Sequence, residues 1–107
     1  MTRNEYLNLV NTAIQKVKQF PITTIKKKDH ISKLYELKNL YDRELMPVNR
    51  LLFDAEYTFE WKQYKINLEI GKSKKELDAN LKYCLTVIFR QLQSIKQDIN
   101  LIEGLID

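Results

Sequence analysis

Cysteine, histidine, glycine and proline are all scarce in this chain of 107 residues, and each scarcity excludes something. Cys84 is the single cysteine, so no disulfide can close within one chain, and a reducing compartment is its natural setting. His30 is the single histidine. With one imidazole and one thiol there is no metal-ligand cluster and no Cys–His pair at a recognisable spacing. Two glycines and two prolines supply too few tight turns for an all-β fold. No apolar run approaches the roughly 18–20 residues of a membrane span. The opening stretch MTRNEYLNLVNTAIQKVKQF scatters charge where a signal peptide needs an apolar centre. A cytoplasmic protein of one domain (1–107), without membrane association and without cofactors, is expected.

What the chain has in quantity is charge. It holds 18 Lys and Arg against 14 Asp and Glu, a formal +4. Residues 1–40 carry eight basic and three acidic residues (+5), 41–71 four and six (−2), and 72–107 six and five (+1). So mild an excess does not by itself establish a nucleic-acid partner; its placement is more informative. The usage of Lys, Asn and Ile matches AT-rich genomes, such as those of many phages.

The second abundance is apolar periodicity. Leu81, Leu85, Ile88, Leu92, Ile95, Ile99, Ile102 and Ile106 alternate steps of four and three, a heptad seam. An earlier seam runs Ile31, Leu34, Lys38, Tyr41, Leu45, Val48, Leu52, Ala55, Phe59, Lys62, Ile66, broken only by its two lysines. Thr2 and Glu5 form a capping box ahead of Leu7, Val10, Ile14 and Val17, which predicts a helix over 3–19 closed by Pro21. The loop 21–28 follows, with Asp29 or Ser32 as the next cap. The seam then predicts a helical arm over about 32–70 with a kink or a one-turn break at Pro47, where one backbone donor is lost but the apolar phase is kept, so that Ile31–Met46 and Pro47–Ile70 are one bent helix or two. Gly71 suits a left-handed helix end, and Ser73 with Glu76 repeats the capping box, so a further helix is expected over about 74–103. Residues 57–70 also alternate in a strand-like way, but the heptad positions continue through Phe59 and Ile66 and no turn residue closes a hairpin there. The expected fold is all-α: a long antiparallel helical hairpin plus an N-terminal helix.

The middle helix carries two apolar faces. Opposite the seam lie Phe53, Tyr57, Trp61, Tyr64 and Leu68, which must be covered either by the first helix or by a second copy of the protein. The latter makes these residues a partner or subunit interface. In the last helix, Leu at one seam position and Ile at the other would favour more than two strands in a parallel self-associating coil. A homo-oligomer is the expected assembly.

No catalytic residues are expected. His30, after KKKD, reads as a solvated loop residue, and Cys84, beside Leu85, as a small core residue. The GKS at 71–73 lacks both the upstream glycine and the preceding strand of a phosphate-binding loop. Basic clusters carry the functional reading. Lys26, Lys27, Lys28 and Lys33 lie at one loop; Lys72, Lys74, Lys75 and Lys82 lie at the hairpin turn. Lysines neutralise phosphates while aromatic rings, here those of WKQYK (61–65), stack on unpaired bases.

From Tyr41 to Asp107 the chain resembles small phage recombination accessory proteins of the T4 recombination-mediator type. The residues that carry the likeness are the aromatic, charged FDAEYTFEWKQYKINLE, the GKS turn, and the amphipathic NLKYCLTVIFRQLQSIKQDINLIEGL. The resemblance implies a helical protein that assembles into rings, binds single-stranded DNA and helps to load a recombinase. It transfers no functional residue by position, and residues 1–40 have no counterpart in it. A non-enzymatic accessory factor for single-stranded nucleic acid is the expected function. The rival expectation is a protein-interaction module, such as a phage-encoded inhibitor of a host protein or an assembly chaperone, acting through Tyr57, Trp61 and Tyr64. A purely structural coiled-coil subunit is the third class.

Overall fold

Helix formation begins where the capping chemistry dictates. The Thr2 hydroxyl accepts from the Glu5 N–H, and α1 runs Arg3–Lys18. The computed structural model describes residues 1–22, 26–49 and 56–106, without the side chains of 49 and 56–59. A 3₁₀ turn, Lys27–Asp29, leads into α2, His30–Leu40. A π-helical stretch, Tyr41–Leu45, then passes directly into α3, Met46–Asn49. After it come α4, Glu56–Glu69, α5, Lys74–Gln97, and a 3₁₀ turn, Ile99–Leu101. Among the described residues no strand forms, only an isolated parallel bridge between Thr2 and Ile106. The all-α class is as expected.

Pro47 does not break its helix. A regular α-helix would ask it for an N–H it lacks and press its ring on the Arg43 carbonyl. The π stretch just upstream, in which the Met46 N–H reaches the Tyr41 carbonyl, widens the coil at that place.

The turn at Gly71 follows its predicted chemistry. Gly71 has φ +76°, the Lys72 N–H reaches the Asn67 carbonyl at 3.1 Å, and the Gly71 N–H reaches that of Leu68 at 3.3 Å, a Schellman closure of α4. The Ser73 hydroxyl accepts from the Glu76 N–H at 3.3 Å and starts α5. Asn67 donates to Asn80 across the turn at 2.8 Å, so α4 and α5 lie antiparallel.

The arm expected over 32–70, as one bent helix or two in line, folds back so that its helices lie side by side. The indole N–H of Trp61 donates to the Leu34 carbonyl at 3.2 Å, and Tyr64 meets His30. Residues some thirty apart on one straight helix would stand about 45 Å apart. α2 and α4 therefore run antiparallel. The continuous apolar phase hid this, because it is compatible with a rod or with two helices sharing a core.

The layout is two long helical paths, His30–Asn49 and α5, with α4 filling between them at one end and α1 at the other. At the α1 end, Tyr6 donates to the Val48 carbonyl at 2.8 Å, Lys18 sits 5.7 Å from the centre of the Phe89 ring, and the Arg3 N–H meets the Ile106 carbonyl at 2.8 Å. The molecule is elongated, 48 × 22 × 19 Å. Its core holds Tyr6, Val10, Ile14, Leu34, Leu37, Leu45, Tyr64, Leu77, Leu81, Cys84, Ile88 and Leu92 among others. α5 stops six residues short of the predicted Glu103. The chain tightens into the 3₁₀ turn after Asp98, the seam stays buried through Ile99 and Ile102, and Leu105 takes the inward place of Ile106.

Gly71 offers a clean measurement. A Cβ there would meet nothing within 4 Å, so Gly71→Ala costs only the left-handed backbone, about 1 kcal/mol. Urea unfolding should register that loss with an unchanged denaturant slope; an unaltered midpoint would mean that the turn does not need positive φ.

Candidate nucleic-acid interface

The sequence reading placed His30 in a solvated loop, and the structure corrects this. His30 opens α2, is fully buried, and occupies the inward line continued by Leu34, Leu37 and Tyr41. Its Nδ1 lies 2.6 Å from the Tyr64 hydroxyl of α4, and its Nε2 lies 2.7 Å from a carboxylate oxygen of Asp78 on α5. The other Asp78 oxygen accepts from Lys74 at 2.6 Å. That Lys74 bond, reinforced by His30, holds the Asp78 carboxyl below its usual range even though partial desolvation pulls the other way. An ionised Asp78 accepts from the His30 Nε2–H, and the Tyr64 hydroxyl that meets Nδ1 also lies within donating distance, 3.3 Å, of the His30 carbonyl.

A hydroxyl, an imidazole and a carboxylate in line resemble the order of a catalytic triad, but the chemistry runs the wrong way. Tyr64 is wholly enclosed, and burial above all pushes its hydroxyl pKa well up, the opposite of an activated nucleophile. The chain of bonds is a strut that joins α2, α4 and α5. The signal for it was in the sequence: His30 stands four residues before Leu34, in the seam's own phase.

The strut fixes one end of the molecule, and both basic clusters meet there. Lys27 and Lys28, on the 3₁₀ turn, line an open groove of about 460 Å³ together with Ile31 of α2, Leu68 of α4 and Leu77 of α5. Lys72, Lys74 and Lys75 follow Gly71 at the same end. Of the predicted lysines, Lys33 pairs with Glu36 at 2.8 Å and lies 5.8 Å from the Phe20 ring centre, with only 16% of its side chain exposed. It is largely spent on the fold. Lys72 pairs with Glu76 at 3.7 Å and Lys74 with Asp78. Lys26, Lys27, Lys28, Lys75 and Lys82 are exposed and have no ion pair among the described residues. Lys82 stands one turn beyond Asp78 on α5, away from the turn itself.

The predicted interface residues divide differently. Phe53 lies outside the described residues, as does the side chain of Tyr57. Tyr64 is sealed in the chain's own core, and Trp61 and Leu68 are half-buried against it. α2 covers this face at Trp61 and Tyr64. The other side of α4 is the open one: Ile66 and Ile70 are 49% and 63% exposed. Tyr35, on α2 one turn beyond Ile31, is an exposed aromatic that the sequence reading passed over. Lys65 lies 5.7 Å from the Trp61 ring centre, which puts a cation beside that half-buried ring.

Cys84 is core, as expected. Burial first, and then the Glu60 carboxylate, push its thiol up to about 12. Comparison of the chain with known protein families, curated proteins and solved structures finds no match.

Two measurements follow from these groups. Asp78 has a native pKa below its unfolded value, so its contribution is complete above about pH 4 and is lost as pH falls through the lowered native value. Urea midpoints taken between about pH 5 and pH 2 should therefore fall less steeply for Asp78→Asn than for the parent, with the variant already weaker at neutral pH. Parallel curves would remove Asp78 from the strut. Cys84 should resist iodoacetamide at about pH 8 in the native chain and react promptly in denaturing urea; fast native alkylation would contradict its burial.

Proposed function

We propose that this protein is a non-catalytic helical accessory factor that binds single-stranded nucleic acid at its basic end, in the manner of a phage recombination mediator. What supports the reading is that Lys27 and Lys28 line a groove with Leu68 and Leu77, which flank the turn bearing Lys72, Lys74 and Lys75, so that clusters some 45 residues apart in sequence lie at one end. Cations with no carboxylate partner release counterions when phosphates replace their water, and several together at one end make that gain additive. The exposed Tyr35 of α2 and the half-buried Trp61 of α4 supply rings for unpaired bases. Self-association belongs to the same proposal: the exposed Ile66 and Ile70 offer a second copy an apolar surface, and several weak sites on one assembly would act together. The protein-interaction reading loses Tyr64, which is enclosed, and keeps only the half-buried Trp61 among the described side chains, the side chain of Tyr57 lying outside them.

Fluorescence anisotropy of a labelled oligodeoxynucleotide, followed as a function of salt, tests the proposal. Binding should be measurable at about 50 mM salt and fall steeply as salt is raised. Replacing Lys27, Lys28 and Lys75 together by Gln should weaken it at least about tenfold and flatten the log–log salt slope by about 2, at roughly 0.7 for each phosphate no longer neutralised. No binding at low salt would end the reading.

A further inference from the structure

We infer that the groove between the 3₁₀ turn and the helical hairpin seats one unpaired nucleobase, with Lys27 and Lys28 holding the phosphates on its two sides. The inference rests on the binding function proposed above and gives it a site and a reason to prefer unpaired strands. The groove is lined by three apolar side chains and two cations: Ile31, Leu68 and Leu77, with Lys27 and Lys28. Its volume, about 460 Å³, falls within the range of small-ligand sites, about 300–1,000 Å³. Leu77 is buried at 1% exposure, whereas Ile31 is left 53% exposed in the first turn of α2. A side chain so open on a helix otherwise well packed is available to a ligand without disturbing the core.

Charge complementarity selects the occupant. Lys27 and Lys28 are adjacent, exposed and without an ion pair among the described residues, so the rim is cationic while the lining between is apolar. The matching ligand is flat and apolar in the middle and anionic on either side, which is the form of a nucleotide within a strand. An acidic peptide matches less well, because its backbone N–H groups would need acceptors. Two carbonyls of the 3₁₀ turn are already used: that of Lys26 by the Asp29 N–H at 2.9 Å, and that of Lys27 by the His30 N–H. The strut of Tyr64, His30 and Asp78 stands directly behind the groove and keeps α2, α4 and α5 in register, so the seat exists before a strand arrives. A base within a duplex is stacked and paired and cannot reach the floor.

The test compares, on the intact chain, an oligothymidylate of about 12 nucleotides with an abasic strand of equal length, which keeps the phosphates and removes the bases. The intact strand should bind about tenfold tighter. Ile31→Ser, at an exposed position, should keep the fold by circular dichroism and abolish most of that preference. Lys27→Gln with Lys28→Gln should weaken both strands alike. Equal binding of intact and abasic strands would overturn the seat while leaving the binding function standing on charge alone. Failure of either strand to bind would remove both proposals. Displacement of the oligothymidylate by polyglutamate of equal charge, as readily as by unlabelled oligothymidylate, would reassign the groove to acidic protein segments and overturn the inference.

Discussion

The apolar stripe of α5, Leu77, Leu81, Cys84, Leu85, Ile88 and Leu92, is the surface on which both α1 and α4 pack. At 24 residues the helix spans about 36 Å, longer than either partner. α4 takes its first half and α1 its second, so neither short helix has to cover the whole stripe. Leu81 and Ile88 are essentially sealed from solvent, and loss of either side chain would cost about 2–5 kcal/mol, a large share of the stability of a domain this size. The second long path, His30–Asn49, closes over both short helices, with Leu37, Leu45 and Val48 facing inward.

A polar constraint is set into this apolar plan at one end. A fully buried imidazole is tolerated because both of its ring nitrogens are bonded, and Lys74 in turn balances the carboxylate that one of them meets. Hydrogen bonds are directional where apolar contacts are not, so this chain of bonds adds a geometric requirement to the packing. It therefore fixes the relative height of α2, α4 and α5 where the lysine-bearing turns emerge. The ion pairs Lys72–Glu76 and Lys38–Asp42 are exposed and contribute little to stability. The cations that have no such partner among the described residues keep their attraction for anions.

Local chemistry was legible in residue order. The Thr2–Glu5 and Ser73–Glu76 caps and the glycine reversal at Gly71 appear as predicted, because each rests on contacts within five residues. Cys84 was read correctly from its place beside the seam. Two features of the packing were not legible for one shared reason: a periodic apolar pattern gives phase but not partner. The seam from Ile31 to Ile66 is equally satisfied by one rod and by two helices that pack on each other, and the contact of Leu34 with Trp61 decides for the second. The pattern equally concealed which side of α4 turns inward: Tyr64 does, and Ile66 does not. His30 was judged by its lysine-rich neighbours rather than by its four-residue step to Leu34.

The order of amino acids alone determined that this chain is helical, where its first and last long helices start, and that it carries two clusters of lysine, because capping, propensity and charge act over a few neighbouring residues. Only the tertiary structure decided that the two clusters share one end, that His30 is enclosed between Tyr64 and Asp78, and that α4 shows its aromatic side to α2. Those outcomes depend on which helix lies against which, and that is settled by the fit of side chains some thirty or more positions apart.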